Sequence, residues 1–199
     1  MDRQLHWQNV YQSRNEDEVS WFQSWPIYSL ELIDRVGCGV VIDVGGGASR
    51  LAEALLERGV RLTILDIAEA ALDKSRARLG EQADAVEWVA ADITKWRPEA
   101  SCDLWHDRAL FHFLIEPAER GAYAETMAAA VEPGGHAVIA TFAPDGPERC
   151  SGLPVCRYDA NALALEFAPH FQLIDEVREA HVTPAGKLQS FQYCLLRRV

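Results

Sequence analysis

Two apolar patterns alternate along this chain. Short continuous runs rich in β-branched residues are followed by stretches in which apolar residues recur every three or four positions. Val40-Val41-Ile42-Asp43-Val44 is the first run and reads as a strand buried on both faces. Gly45-Gly46-Gly47 ends it; Leu51, Ala52, Leu55 and Leu56 then recur at helical spacing until Gly59. Leu62 to Leu65 predicts a second strand ending at Asp66. Ala68 to Leu79 predicts a helix with Ala71, Leu72, Ser75 and Leu79 on one face and Gly80 after its end. Val86 to Ala90, Cys102 to Trp105 and His136 to Phe142 predict three more strands. A helix from Pro117 to about Val131 and the turn Pro133-Gly134-Gly135 separate the last two. A loop from Ala143 to Pro154, a helix from Asp159 to about Ala168 and two strands, Phe171 to Glu176 and Phe191 to Arg197, close the chain. No helix fits between those two strands, so they must be antiparallel neighbours.

This order predicts an α/β fold in a single domain over residues 1–199: a seven-stranded, mostly parallel sheet with a C-terminal antiparallel strand and helices on both faces. Residues 1–36 lie outside the alternation and carry Trp7, Tyr11, Trp21, Phe22, Trp25 and Tyr28. They predict two helices over the C-terminal edge of the sheet, as a plain cover or as a cap on a site. At 199 residues the chain can bury a full core without disulfide or metal staples. Its net charge of -11 excludes a uniformly basic nucleic-acid binder and disfavours an anionic membrane surface. No apolar run is long enough to span a bilayer, and the N-terminal segment has no apolar signal core. The five cysteines are odd in number and contain no Cys-x-x-Cys pair, a reduced inventory that predicts a cytoplasmic protein.

Candidate chemistry begins at Asp43-x-Gly45-x-Gly47, between a predicted strand and a predicted helix. Glycine there lets the backbone turn tightly and a ligand approach it, and the following helix offers free N–H groups. Asp66 ends the next strand about 20 residues on, where a ribose diol would lie and donate to its carboxylate. Arg50 stands where a dinucleotide fingerprint has its third glycine, which weakens a nicotinamide reading. Asp43 suits a ligand with an amino-acid ammonium, held directly or through water.

In order, these stretches resemble the motifs of the class I S-adenosylmethionine-dependent methyltransferases. VIDVGGGAS resembles the first motif, with Asp43, Gly45, Gly46 and Gly47 in place and Ser49 where many members have another glycine. LTILDI resembles the second, with Asp66 on the ribose and Ile67 beside it. VAADIT resembles the third, where Asp92 would accept the adenine amino hydrogen and Ile93 would pack on the ring. DLWHDRALFHFL occupies the fourth, facing the transferred methyl, and VEPGGHAVIATF leads into the fifth strand. The resemblance covers about residues 38–199 and implies a Rossmann-like core over 37–199 beneath an N-terminal helical cap over 1–36. It implies S-adenosyl-L-methionine as cofactor and methyl transfer to a small-molecule acceptor by in-line displacement. The N-terminal HWQNVYQSRNEDEVSWFQSWPIYSLELI is similar to a subgroup of small bacterial methyltransferases and, more loosely, to protein-lysine methyltransferases of elongation factor or citrate synthase.

A sulfonium methyl needs binding, alignment and water exclusion more than activation, and a base only if the acceptor must lose a proton. The candidate bases are His106, Asp107 and His112, each with a structural alternative: His106 bracing a loop, also as part of the cofactor site, and His112 facing the core. Arg108 could anchor an acidic acceptor or pair with Asp107 or Asp103. Tyr11, Trp21 and Phe22 could close over the sulfonium and acceptor or simply pack. The His106/His112 spacing fits no metal site, and Cys150 with Cys156 lacks a third soft ligand. Three other functions compete: lysine methylation of a protein, a nicotinamide oxidoreductase, and a non-catalytic cofactor-binding module.

Overall fold

The computed structural model describes residues 2–199. In chain order, the helices are α1 (Arg3–Ser13), α2 (Ile27–Val36), α3 (Leu51–Glu57), α4 (Glu69–Leu79), α5 (Pro117–Ala130) and α6 (Ala160–Glu166). The strands are β1 (Val40–Val44), β2 (Arg61–Asp66), β3 (Val86–Ala90), β4 (Cys102–Arg108), β5 (Val131–Phe142), β6 (Arg149–Cys150), β7 (Leu153–Pro154), β8 (Phe171–Val182) and β9 (Leu188–Arg198). Seven of them form one sheet in the order β3-β2-β1-β4-β5-β9-β8, and β6 and β7 form a small separate hairpin. β1 to β5 are parallel; β9 runs antiparallel to both its neighbours, β5 and β8.

Side-chain alternation in the parallel strands builds two apolar layers. Val41, Leu62, Ile64, Leu104 and Val138 face a core shared with α2, α3 and α4. Ile42, Val44, Leu65, Trp105 and Ile139 face the core under α5 and α6. The expected sheet and its helices on both faces are therefore present, and the strand order reverses between β1 and β4. At such a switch point the crevice beyond the carboxyl ends of the strands is open to a ligand.

Three expectations need correction. β4 runs on to Arg108, so His106 and Asp107 are strand residues and not part of the loop beyond it. β8 and β9 are 12 and 11 residues long, because their polar outward positions hid the strand alternation beyond the apolar runs. The Ala143–Pro154 loop contains the β6–β7 hairpin. The cap also divides. α1 packs on α4, where the Gln8 amide oxygen accepts from Ala70 N at 3.1 Å. α2 instead packs on the sheet face, with Leu30, Leu32 and Ile33 buried.

Candidate active site

The site begins where β1 ends. Gly45 takes φ 67°, a left-handed turn, and donates its N–H to Leu65 O at 2.7 Å. A Cβ there would stand 2.8 Å from Leu110 Cβ, so a side chain is excluded by space as well as by conformation. Ser75 of α4 donates to Gly47 O and pins the far side of the turn. Asp66, at the end of β2, is only 5% exposed and accepts from Ala68 N at 2.9 Å. Burial pushes its carboxyl up to about 7, reinforced by nearby Asp43 and opposed by the N–H groups of Ala68, Gly47 and Ile67.

These groups open onto a cavity at the ends of the parallel strands. Its floor is Gly45, Asp66, Ile67, Ala91, Asp92 and Ile93, at the ends of β1, β2 and β3. Trp7, Tyr11 and Trp21 of the cap roof it in an edge-to-face cluster with Phe113. Arg108 to Leu110, Leu114 and Cys150 complete the wall past β4. The empty space is about 710 Å³ with open solvent included. Asp92 Oδ1 accepts from Thr94 N and Thr94 Oγ1, which orients its carboxylate at the cavity's far end. Two carboxylates, the buried Asp66 and the partly exposed Asp92 with Ile93 beside it, thus line one cavity, a set of acceptors that fits a ligand carrying hydroxyl and amino donors.

The structure gives the three candidate bases other work. His106 is 3% exposed, with Nδ1 2.7 Å from Asp43 Oδ1 and Nε2 2.8 Å from Ser29 Oγ, so neither nitrogen is spare. Asp107 is fully buried and accepts from Leu110 N, Phe111 N and Tyr123 Oη; burial pushes its carboxyl up to about 7. His112 is driven down to about 3 by burial and by the Arg108 charge. Its Nδ1 accepts from Phe142 N at 3.2 Å, which places the ring proton on Nε2 and leaves no lone pair for a second proton. None of the three is therefore built as a general base. Asp43, only 1% exposed, also differs from its expected role. It lies beneath the glycine turn and lines neither cavity at the site.

Arg108 lines this cavity, but its partners are not Asp107 or Asp103. Nε donates to Tyr193 Oη at 2.7 Å, Nη1 to Trp21 O at 2.8 Å and Nη2 to Glu179 Oε2 at 3.2 Å, with Phe191 beneath the guanidinium at 4.3 Å. Burial acts to raise the Glu179 carboxyl, yet the neighbouring His181, with Nδ1 3.7 Å away, and the Arg108 charge hold it below the usual value. Glu179, Tyr193 and Ser29 were missed in the sequence because each lies far along the chain from its partner and in no local motif. Tyr11 and Trp21 line the cavity. Phe22 lines an adjoining cavity instead, under the Arg50 guanidinium. That second cavity shares Gly45, Tyr11, Trp21 and Arg108 with the first and adds Ser49, Arg50 and His106. Arg50 Nη2 pairs with Glu16, but its buried Nε has no partner. The residue that breaks the dinucleotide fingerprint is thus the cation with a donor to spare.

Residues 41–135 match the family model described as a methyltransferase domain. Nodulation protein S of Rhizobium tropici is 29% identical over 98 residues, 49% of this chain and 41% of that protein. The match thus spans about two-fifths of that relative's length. A Burkholderia thailandensis 1,6-didemethyltoxoflavin-N1-methyltransferase, solved with 1,6-didemethyltoxoflavin and S-adenosylhomocysteine, superposes with a TM-score of 0.71 at 25% identity, covering 96% of this chain and 81% of that one. The N-methyltransferase NodS of Bradyrhizobium japonicum, in complex with S-adenosylhomocysteine, gives 0.73 at 14% identity over 99% of both chains. Residues 41–135, just under half of the chain, are thus similar to a methyltransferase domain, and the whole chain shares its fold with these solved methyltransferases.

Proposed function

We propose that this protein transfers a methyl group from S-adenosyl-L-methionine to a small-molecule acceptor by in-line displacement. The observation that carries the reading is the Gly45 turn and the buried Asp66 carboxylate side by side on the floor of one roofed cavity. Asp66 would accept from both ribose hydroxyls, Asp92 from the adenine amino group, and Ile67 and Ile93 would pack against the nucleoside. The spare Arg50 Nε would take the carboxylate of the amino-acid tail, reached across Gly45. Bound there, the cofactor would supply an electrophilic methyl on a sulfonium. Trp7, Tyr11 and Trp21 would exclude water and face the cation with aromatic surface.

The walls at the acceptor end carry no group that takes a proton near neutral pH. Arg108 is a cation, and burial pushes the Cys150 thiol up to about 11. The acceptor must then bring its own nucleophilic lone pair, and catalysis is alignment and desolvation. The cap roof favours a small acceptor over a protein. The net charge of -11 favours one second reading, a lysine of a basic protein. Among the described residues no helix is long and apolar enough to cross a membrane, and all five cysteines are free thiols; a cytoplasmic site of action is part of the proposal.

Calorimetric titration with S-adenosylmethionine, S-adenosylhomocysteine and NADH tests the cofactor. Binding of the first two and not the third is expected, and the reverse would overturn the reading. Transfer of labelled methyl into lysate fractions separated by size then tests the acceptor: label among metabolites supports the proposal, and label only on proteins replaces it with the lysine reading.

A further inference from the structure

Ser29, His106 and Asp43 form a buried hydrogen-bonded chain that the methyl-transfer reading does not use. They are 0%, 3% and 1% exposed. Their meeting is a matter of register. Asp43 of β1 and His106 of β4 are paired residues of parallel neighbours, so both side chains point to the same sheet face. α2 covers that face and brings Ser29, in its first turn, to His106 Nε2 at 2.8 Å. The opposite end of the chain touches the ligand turn: a Cβ on Gly46 would collide with Asp43 Oδ2, so carboxylate and loop backbone are in direct apposition. With Asp43 ionised, Nδ1 carries the proton it donates, and Nε2 accepts from the Ser29 hydroxyl.

We propose that His106 is a positioning residue, a latch that couples the seat of the N-terminal cap to the shape of the glycine turn. α2 enters directly from the strap of residues 14–26, which supplies Trp21 to the cavity roof. That strap is tied to the core by Glu16 to Arg50, Trp21 O to Arg108 and Gln23 to Glu179. Closing the strap seats α2, α2 fixes His106 through Ser29, and His106 fixes Asp43 against the turn. A ligand that orders the turn therefore also orders the cap. The inference rests on the cofactor reading above for its ligand, and not for the ligand-free arm of its test.

The test is a double-mutant cycle between Ser29 and Asp43, which share no hydrogen bond, in the full-length protein. S-adenosylhomocysteine affinity is one readout and trypsin cleavage after exposed Arg14 the other. Ser29→Ala keeps the His106–Asp43 bond; it should weaken binding about tenfold, the loss of one hydrogen bond. It should also speed cleavage after Arg14 without ligand and abolish the protection that ligand gives. Ser29→Ala and Asp43→Asn should be strongly non-additive, and Ser29→Ala should have no further effect in a His106→Asn background. A purely structural role predicts losses that add, and additive losses overturn the latch. So does a folded Ser29→Ala protein with wild-type affinity and wild-type cleavage. If wild-type protein ignores S-adenosylhomocysteine, the cofactor reading fails instead, and the ligand-free cleavage rate alone decides the latch.

Discussion

Asp66 offers the sharpest pH-dependent prediction. In the free protein burial holds its carboxyl near 7, and the groups facing it are Asp43, whose charge raises it further, and the Tyr11 ring. Ribose hydroxyls donate to an ionised carboxylate, so binding selects the ionised form. The affinity should be constant well above pH 7 and fall up to tenfold per unit below it. At pH 6 about one carboxylate in eleven is ionised, a loss of about 1.4 kcal/mol. The assay is calorimetry across pH 5.5 to 8.5 with 5′-methylthioadenosine, which keeps the ribose diol and carries no group titrating near neutrality. Asp66→Asn should lose about 1–3 kcal/mol of affinity at high pH and bind with no slope. Folding stability should move the opposite way. A carboxyl raised above its unfolded value stabilises the fold below the unfolded value, and that contribution is lost as pH rises through 7. Ligand-free Asp66→Asn should therefore melt above wild type at pH 8. A flat wild-type affinity between pH 6 and 8, or an undiminished slope in Asp66→Asn, would refute the assignment of the diol to this carboxylate.

Arg50→Gln should weaken S-adenosylhomocysteine binding about tenfold to a hundredfold and leave 5′-methylthioadenosine, which lacks the amino-acid tail, unchanged; equal losses for both ligands would move the tail elsewhere. Gly45→Val forces a branched residue into φ 67° and against Leu110, so it should cost about 1–3 kcal/mol of stability, a fall of several degrees in Tm, besides most of the ligand affinity. Glu179→Ala leaves the Arg108 guanidinium buried without its counter-charge and should cost about 3–5 kcal/mol by denaturant unfolding. Glu179→Gln, which still accepts from Tyr193, should cost less. His112→Gln should lower stability without changing the shape of the pH–rate profile, because the native ring is already neutral above pH 5.

The parts of this site visible in the sequence are those made within a few residues of a strand end. Asp66, Asp92 and the glycine turn stand out because a parallel sheet collects its loops at one edge, and the apolar run before each of them announces the strand. The register of β1 against β4 is not a local property. Asp43 and His106 are 63 positions apart and look like two separate polar residues at strand ends, yet pairing makes them neighbours on one face. The partners of the three candidate bases were hidden for the same reason. The apolar run ends at Trp105, whereas β4 continues through His106 and Asp107 and buries them against Ser29 and Asp43, or against Tyr123; His112 lies past the strand, in the turn Phe111–Phe113, and accepts from Phe142 N. The same logic explains Arg108. Only after β9 inserts between β5 and β8 do Tyr193 and Glu179 come within reach of its guanidinium. Buried polar groups of this kind are held by geometry from three or four separate elements, which is why composition and spacing could nominate the residues and not their partners. At the end of β4 the Arg108 guanidinium has all three of its nitrogens paired, so on the proposed function the difference between one acceptor and another is decided by shape and by the lone pair the acceptor itself carries.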